Sequence, residues 1–223
     1  MPYRANIDAL KRQGCTHVVS ISACGSFRED VAPGDFAIVG QFIDRTFARE
    51  KSFFGSGCVA HVSLAQPVCP VLSDACAKAA REAGVTVHEG ATYLAMEGPQ
   101  FSTLAESLLY REQWGCDVIG MTNMPEAKLA REAELHYASV AMVTDFDCWH
   151  ADHGAVDVAE VIATLHGNAD AARALVTALP RLLRDVPCAT ACDHALDHAI
   201  MTAPDRRDPD LLARLDAVAG RVL

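Results

Sequence analysis

Short apolar runs that end in glycine- or aspartate-bearing loops alternate along this chain with segments of helical spacing, and few folds satisfy that pattern. "CTHVVSIS" at 15–22 is apolar and β-branched and enters the loop "ACGS", so it predicts a buried strand. "GDFAIVGQFIDRT" predicts a second strand after the turn at Pro33 and Gly34, and "TVHEGATYLA", "CDVIG" and "YASVAMVT" predict three more. Helical spacing marks residues 3–13, "SDACAKAAREAG" with Ser73 as N-cap and Gly84 as stop, Leu104–Gln113, the segment opened by Pro125 and Glu126, and 155–185. Strands that alternate with helices form an α/β sheet with helices on its faces.

At 223 residues the chain has the length of one large α/β domain. The expectation is a single domain over 1–223, with a compositionally different helical tail at 187–223 that begins "PCATACDHALDHAIMTAP". A formal charge of -10 and a pI near 5.3 disfavour nucleic acid and anionic membranes as partners, because both need a basic footprint. No apolar run approaches the roughly 18 residues of a membrane span. The start "MPYRANIDALKRQGC" has no secretory pattern. Nine cysteines, an odd number without framework spacing, read as reduced thiols, and the cytoplasm is the expected compartment.

In α/β sheets ligands sit outside the carboxyl ends of strands. The loops "SACGS", "EGPQFS", "GMTNMP" and "TDFDCWH" all fall at predicted strand exits, so they can converge on one pocket. In the last of them, Asp145 and Asp147 allow three chemistries. One is a nucleophilic aspartate displayed after a strand, although Cys148 and Trp149 follow where such sites usually carry a hydroxyl. Another is a metal loop of Asp145, Asp147, His150 and His153. The third is a carboxyl that burial and a like charge keep protonated, ready to donate to a heterocycle. Against all three stands a pair that caps a helix or faces water. Cys188, Cys192, His194 and His198 read C-x3-C-x-H-x3-H, which lacks the tight spacing of a zinc module and predicts a helix with small buried thiols.

Taken together, "YRANIDALKRQGCTHVVSISACGSFRED", "PGDFAIVGQFIDRT", "EGPQFST" and "VIGMTNMPEAKLAREAELHYASVAMVTDFDCW", at their spacing, resemble the trimeric purine nucleoside phosphorylases over residues 3 to about 180. The resemblance implies a three-layer α/β/α fold with a mixed central sheet. It implies splitting of a purine N-glycosidic bond by inorganic phosphate, with no metal or organic cofactor, in a homotrimer that binds only small molecules, nucleoside and phosphate. By motif position Asp145 becomes the general acid toward the purine N7, and Asp147 its partner, which orients the base at a 6-amino group. Phe101 would stack on the base, with Ser102 and Phe146 beside it and Met121 against the sugar. Ser22, Ala23 and Thr122 would hold phosphate. Val158, Val161 and Ile162 would line an apolar 5' substituent, and His61 would reach a neighbouring subunit's pocket.

A carboxyl at this loop suits a 6-aminopurine. The implied substrate is methylthioadenosine, in purine and methionine salvage. Adenosine or another purine nucleoside, hydrolysis by water, and a non-catalytic relative stay open. The family's usual opening strand, glycine-rich phosphate loop and Arg-His pair have no counterpart before "YRAN", which leads us to expect an unpaired strand edge and a weakened phosphate site.

Overall fold

The structure is a computed structural model and describes residues 1–150, 158–183 and 190–223. Five strands form one mixed sheet: β1 (His17–Ser26), β2 (Phe36–Asp44), β3 (Val87–Ala95), β4 (Val118–Gly120) and β5 (His136–Asp145). Their order, β1-β4-β3-β2-β5, closes on itself. β1 runs parallel to β5 from the His17–His136 pair onward, β3 lies parallel to β2 and β4, and the closing contacts are antiparallel.

β2 and β5 alternate cleanly between two cores, as a pleat with two-residue period requires. Phe36, Ile38, Ala138, Val140 and Met142 face one side, where they meet α2 (Pro70–Glu82) and α5 (Val158–Leu182) through Leu72, Cys76, Leu175 and Leu179. Ala37, Val39, Tyr137, Ala141 and Val143 face the other, with α1 (Tyr3–Arg12) and α4 (Glu126–Glu132) supplying Ile7, Leu129 and Ala130. Both faces are therefore covered, the three layers expected of the chain. A third cluster, Phe27, Leu94, Tyr110, Cys116 and Ile119, fills the space beneath α3 (Leu104–Leu108) and the π-helical turn that continues it.

Two local readings change. Helix α2 opens one turn before Ser73, with Pro70 in its first turn and Cys69 as N-cap, because the fixed φ of proline suits the first helical position and its missing N–H costs nothing there. Strand β1 does not stop at Ser22 but runs through "ACGS" to Ser26, with a bulge between Cys24 and Gly25. The bulge lets its last two residues leave β5's regular register and pair with β4. Along 17–24, β1 has β5 as its only strand neighbour among the described residues.

The tail packs on the side of α1. Leu196 and Ala199, together with Leu215, Val218 and Ala219 near α6 (Pro209–Arg214) and in α7 (Asp216–Ala219), join the α1 and α4 core. Arg221 pairs with the buried Glu134 and with Asp197. Among the described residues no helix is long and apolar enough to cross a membrane.

Candidate active site

Where β1 and β4 overlap, the carboxyl ends of both lie beside the end of β5, and a cavity of about 230 Å³ opens between them. Its wall is Ala23, Cys24 and Gly25 from β1, Ile119, Gly120, Met121 and Thr122 from β4 and its exit, and Thr144, Asp145 and Asp147 from β5 and its exit. Met96 after β3, Phe101 before α3 and Val161 of α5 complete it. All four loops expected at strand exits thus contribute, although they are spread over more than a hundred residues of sequence.

The two aspartates are held by different means. Asp145 Oδ1 accepts the backbone N–H of Asp147 at 2.8 Å, and the Thr144 hydroxyl lies 2.8 Å from Oδ2 and 3.1 Å from the Cys24 carbonyl. Burial raises the carboxyl above its usual range against the opposing pull of these two donors. Asp147 has a positive φ of 52° and is 4% exposed, and its Oδ2 accepts the hydroxyl of Ser107. Burial raises it too, the Ser107 bond opposes the rise, and the charge of Asp145 adds to it. The site therefore presents two carboxyls that resist ionisation.

Gly25 makes this arrangement possible. A Cβ built there would stand 2.9 Å from Asp145 Oδ1 and 3.3 Å from both Asp147 Cβ and Ile119 Cγ2. At the other end of the cavity, the Thr122 hydroxyl lies 2.8 Å from Ser22 Oγ and 3.0 Å from the hydroxyl of the fully buried Tyr93. The Arg49 guanidinium, only 9% exposed, ties two of the site loops together: it pairs with Glu97 and donates to the carbonyls of Met121, Met124 and Glu97. No Lys, Arg or His is among the described residues that line the cavity.

The fold brings Ala23, Phe101, Met121, Thr122, Asp145, Asp147 and Val161 to one wall. Ser22 stands behind Thr122, and Ser102 behind Met96, with its hydroxyl 3.5 Å from the Met96 sulfur. Other expected residues lie elsewhere in the single chain. Phe146 turns away from the cavity to stack on His150 at 4.8 Å and meet Trp149 edge-on. Val158 and Ile162 are 56% and 47% exposed and do not reach the cavity wall. His61 is on a surface segment that bridges to the tail, its N–H bonded to the Ala199 carbonyl.

The metal-loop reading of this site is not supported. His150 faces Glu29 instead of the aspartates, at 3.2 Å, and His153 lies outside the described residues. Several contributors carried no sequence signal. Cys24 and Gly25 sat in what read as a loop, and Tyr93 and Ser107 are ordinary core residues until the fold sets them against Thr122 and Asp147.

The Phosphorylase superfamily model matches residues 1–181. The S-methyl-5'-thioadenosine phosphorylase of Cereibacter sphaeroides is 74% identical over 226 residues, an alignment that spans 100% of this chain and 77% of the relative. That of Rhodospirillum rubrum is 61% identical and covered to 76% by 99% of this chain. Among solved structures, a methylthioadenosine phosphorylase sourced from an antarctic soil metagenomic library superposes with a TM-score of 0.91 at 45% identity, over 98% of this chain and 77% of that one. A variant of the adenosine/methylthioadenosine phosphorylase from Schistosoma mansoni, in complex with adenine, gives 0.77 at 38% identity, over 81% and 71%. With its sheet, its convergent loops and these likenesses over nearly its whole length, the chain belongs to the phosphorylase superfamily.

Proposed function

We propose that this chain catalyses phosphorolysis of S-methyl-5'-thioadenosine to adenine and 5-methylthioribose 1-phosphate, a pentosyl transfer. The observation that carries the chemistry is the pair Asp145 and Asp147, two buried carboxyls with raised pKa in one cavity with Phe101 and Met121. The relatives' names supply the substrate.

The bond between N9 and C1' breaks as its electron pair moves into the purine. Asp145 hands its proton to N7, so that the base leaves neutral, and a phosphate oxygen bonds to the oxocarbenium-like C1'. Asp147 accepts from the 6-amino group, Phe101 stacks on the base and Met121 packs against the sugar. The Ser22, Ala23 and Thr122 end takes the phosphate. No metal or organic cofactor enters this scheme, and phosphate is the co-substrate.

The test is release of adenine from methylthioadenosine by the folded full chain, with and without phosphate. Phosphate-dependent release is expected. No release in either condition refutes the proposal, and equal rates in both mean hydrolysis. A second reading, adenosine as an equal substrate, is favoured by the name of the Schistosoma relative and by Val161 being the one α5 residue of the three at the wall. The ratio of kcat/KM for the two nucleosides decides between them.

A cytoplasmic homotrimer is the assembly and location that go with this reading, with His61 extended toward a neighbour. Phe47, 81% exposed, and Phe101, 46% exposed, support further burial by a partner subunit. Light scattering should then give three times the chain mass of 23.9 kDa.

A further inference from the structure

At the far end of β5 from the aspartates, three side chains from distant parts of the chain meet. Cys69 precedes α2, His136 opens β5 and Cys192 belongs to the tail, and their ligand atoms all lie within 4.8 Å of one another. His136 Nδ1 stands 3.3 Å from the Cys69 sulfur. Both cysteines are 1% exposed, and the histidine is half-buried. We propose that these three residues bind a zinc ion, which fastens the tail at 190–223 to the sheet.

Two sulfurs and an imidazole nitrogen are the donor set of a borderline-soft divalent ion. With Zn–S near about 2.3 Å and Zn–N about 2.0 Å, tetrahedral ligand atoms stand roughly 3.5–3.8 Å apart. The three atoms already approach that spacing without a change of backbone. The backbone beneath them is fixed on every side. The Cys69 N–H bonds to the Tyr137 carbonyl at 2.8 Å, the His136 N–H bonds to that of Thr16 at 3.0 Å, and Cys192 follows a left-handed Ala191 into a 3-10 turn. His17 stacks on the His136 ring at 4.5 Å and 15°, which fixes the plane of the ligating ring. Cys69 also lies at the positive end of the 13-residue helix α2, where negative charge on a sulfur ligand is favoured.

The site is not the local module that C-x3-C-x-H-x3-H would form. His194 points to Asp197 and Asp193 instead, and of that motif only Cys192 enters the cluster, while Cys188 lies outside the described residues. It is also remote from catalysis, because the nine steps of β5 from His136 to Asp145 rise about 30 Å.

The experiment is Co²⁺ titration of the metal-free full chain under reducing conditions, followed by thiolate-to-cobalt charge-transfer absorption and by displacement with Zn²⁺. One equivalent per chain with a two-thiolate spectrum is expected, and Zn²⁺ should raise Tm. Cys192→Ser and Cys69→Ser should weaken binding by about 100-fold or more, and His136→Gln should also shift the ligand-field bands. Asp145→Asn should bind as the parent does. No charge-transfer band in the parent protein, or affinity unchanged in both cysteine variants, overturns the proposal. If a cysteine variant fails to fold, the parent spectrum and the His136→Gln shift still decide.

Discussion

Gly25→Ala inserts one methyl group against the candidate acid. Its Cβ would stand 2.9 Å from Asp145 Oδ1, closer than carbon and oxygen normally approach, with Asp147 Cβ and Ile119 Cγ2 at 3.3 Å preventing retreat to either side. Asp145 can yield only by stretching its bonds from the Asp147 N–H and Thr144, both 2.8 Å, and a carboxylate hydrogen bond is worth about 1.5–3 kcal/mol. The cheaper response is a shift of the carboxyl by several tenths of an ångström. Misplacement by about 1 Å costs up to roughly 100-fold in rate, so kcat for adenine release should fall about 10- to 100-fold, with overpacking lowering stability by about 1–3 kcal/mol. Gly167→Ala is the control, since a Cβ there meets nothing within 4 Å on the exposed side of α5. It should leave kcat unchanged and add about 1 kcal/mol of stability. If Gly25→Ala retains kcat within about twofold, either Asp145 is not the acid or its position is not critical, and the reasoning fails.

Asp145→Asn should lower turnover by about 10²- to 10⁴-fold and yet stabilise the ligand-free protein at pH 7. A carboxyl raised by burial favours the folded state below its unfolded value of 3.8, and that advantage is lost as pH rises through the folded value. The variant's Tm should exceed the parent's by about 2–4 °C per kcal/mol relieved, a gain that disappears near pH 4; a lower Tm at pH 7 contradicts the assignment. Tyr93→Phe leaves Thr122 with Ser22 alone and should raise KM for phosphate about 2- to 10-fold with KM for the nucleoside unchanged. An unchanged phosphate KM would separate Tyr93 from the phosphate site. Ser107→Ala removes the donor that opposes the burial of Asp147, so the acid limb of the pH profile for kcat/KM should move to higher pH. A profile that stays in place removes Ser107 from the site.

The sequence by itself determined the elements and most of the wall. The continuous run of small and apolar residues in "YASVAMVT", buried along its whole length, and helical spacing in "AKLAREA" are local consequences of side-chain size and backbone period, so β5 and α4 could be read without the fold. The loops at strand exits followed, because a strand's carboxyl end is set by its own boundary. What the sequence could not determine is who faces whom. β1 continues through "ACGS" only because its bulge carries Gly25 to β4, a pairing more than ninety residues away. Gly25 is open space until the closed sheet sets Asp145 beside it, Tyr93 is an ordinary core aromatic until Thr122 arrives above it, and the sulfur of Cys192 is one buried thiol until Cys69 and His136 meet it. Approach distances of this kind depend on long-range packing, which no window of neighbouring residues contains, and they fix the carboxyl pair, the Ser22–Thr122–Tyr93 hydroxyl cluster and the thiol–imidazole cluster.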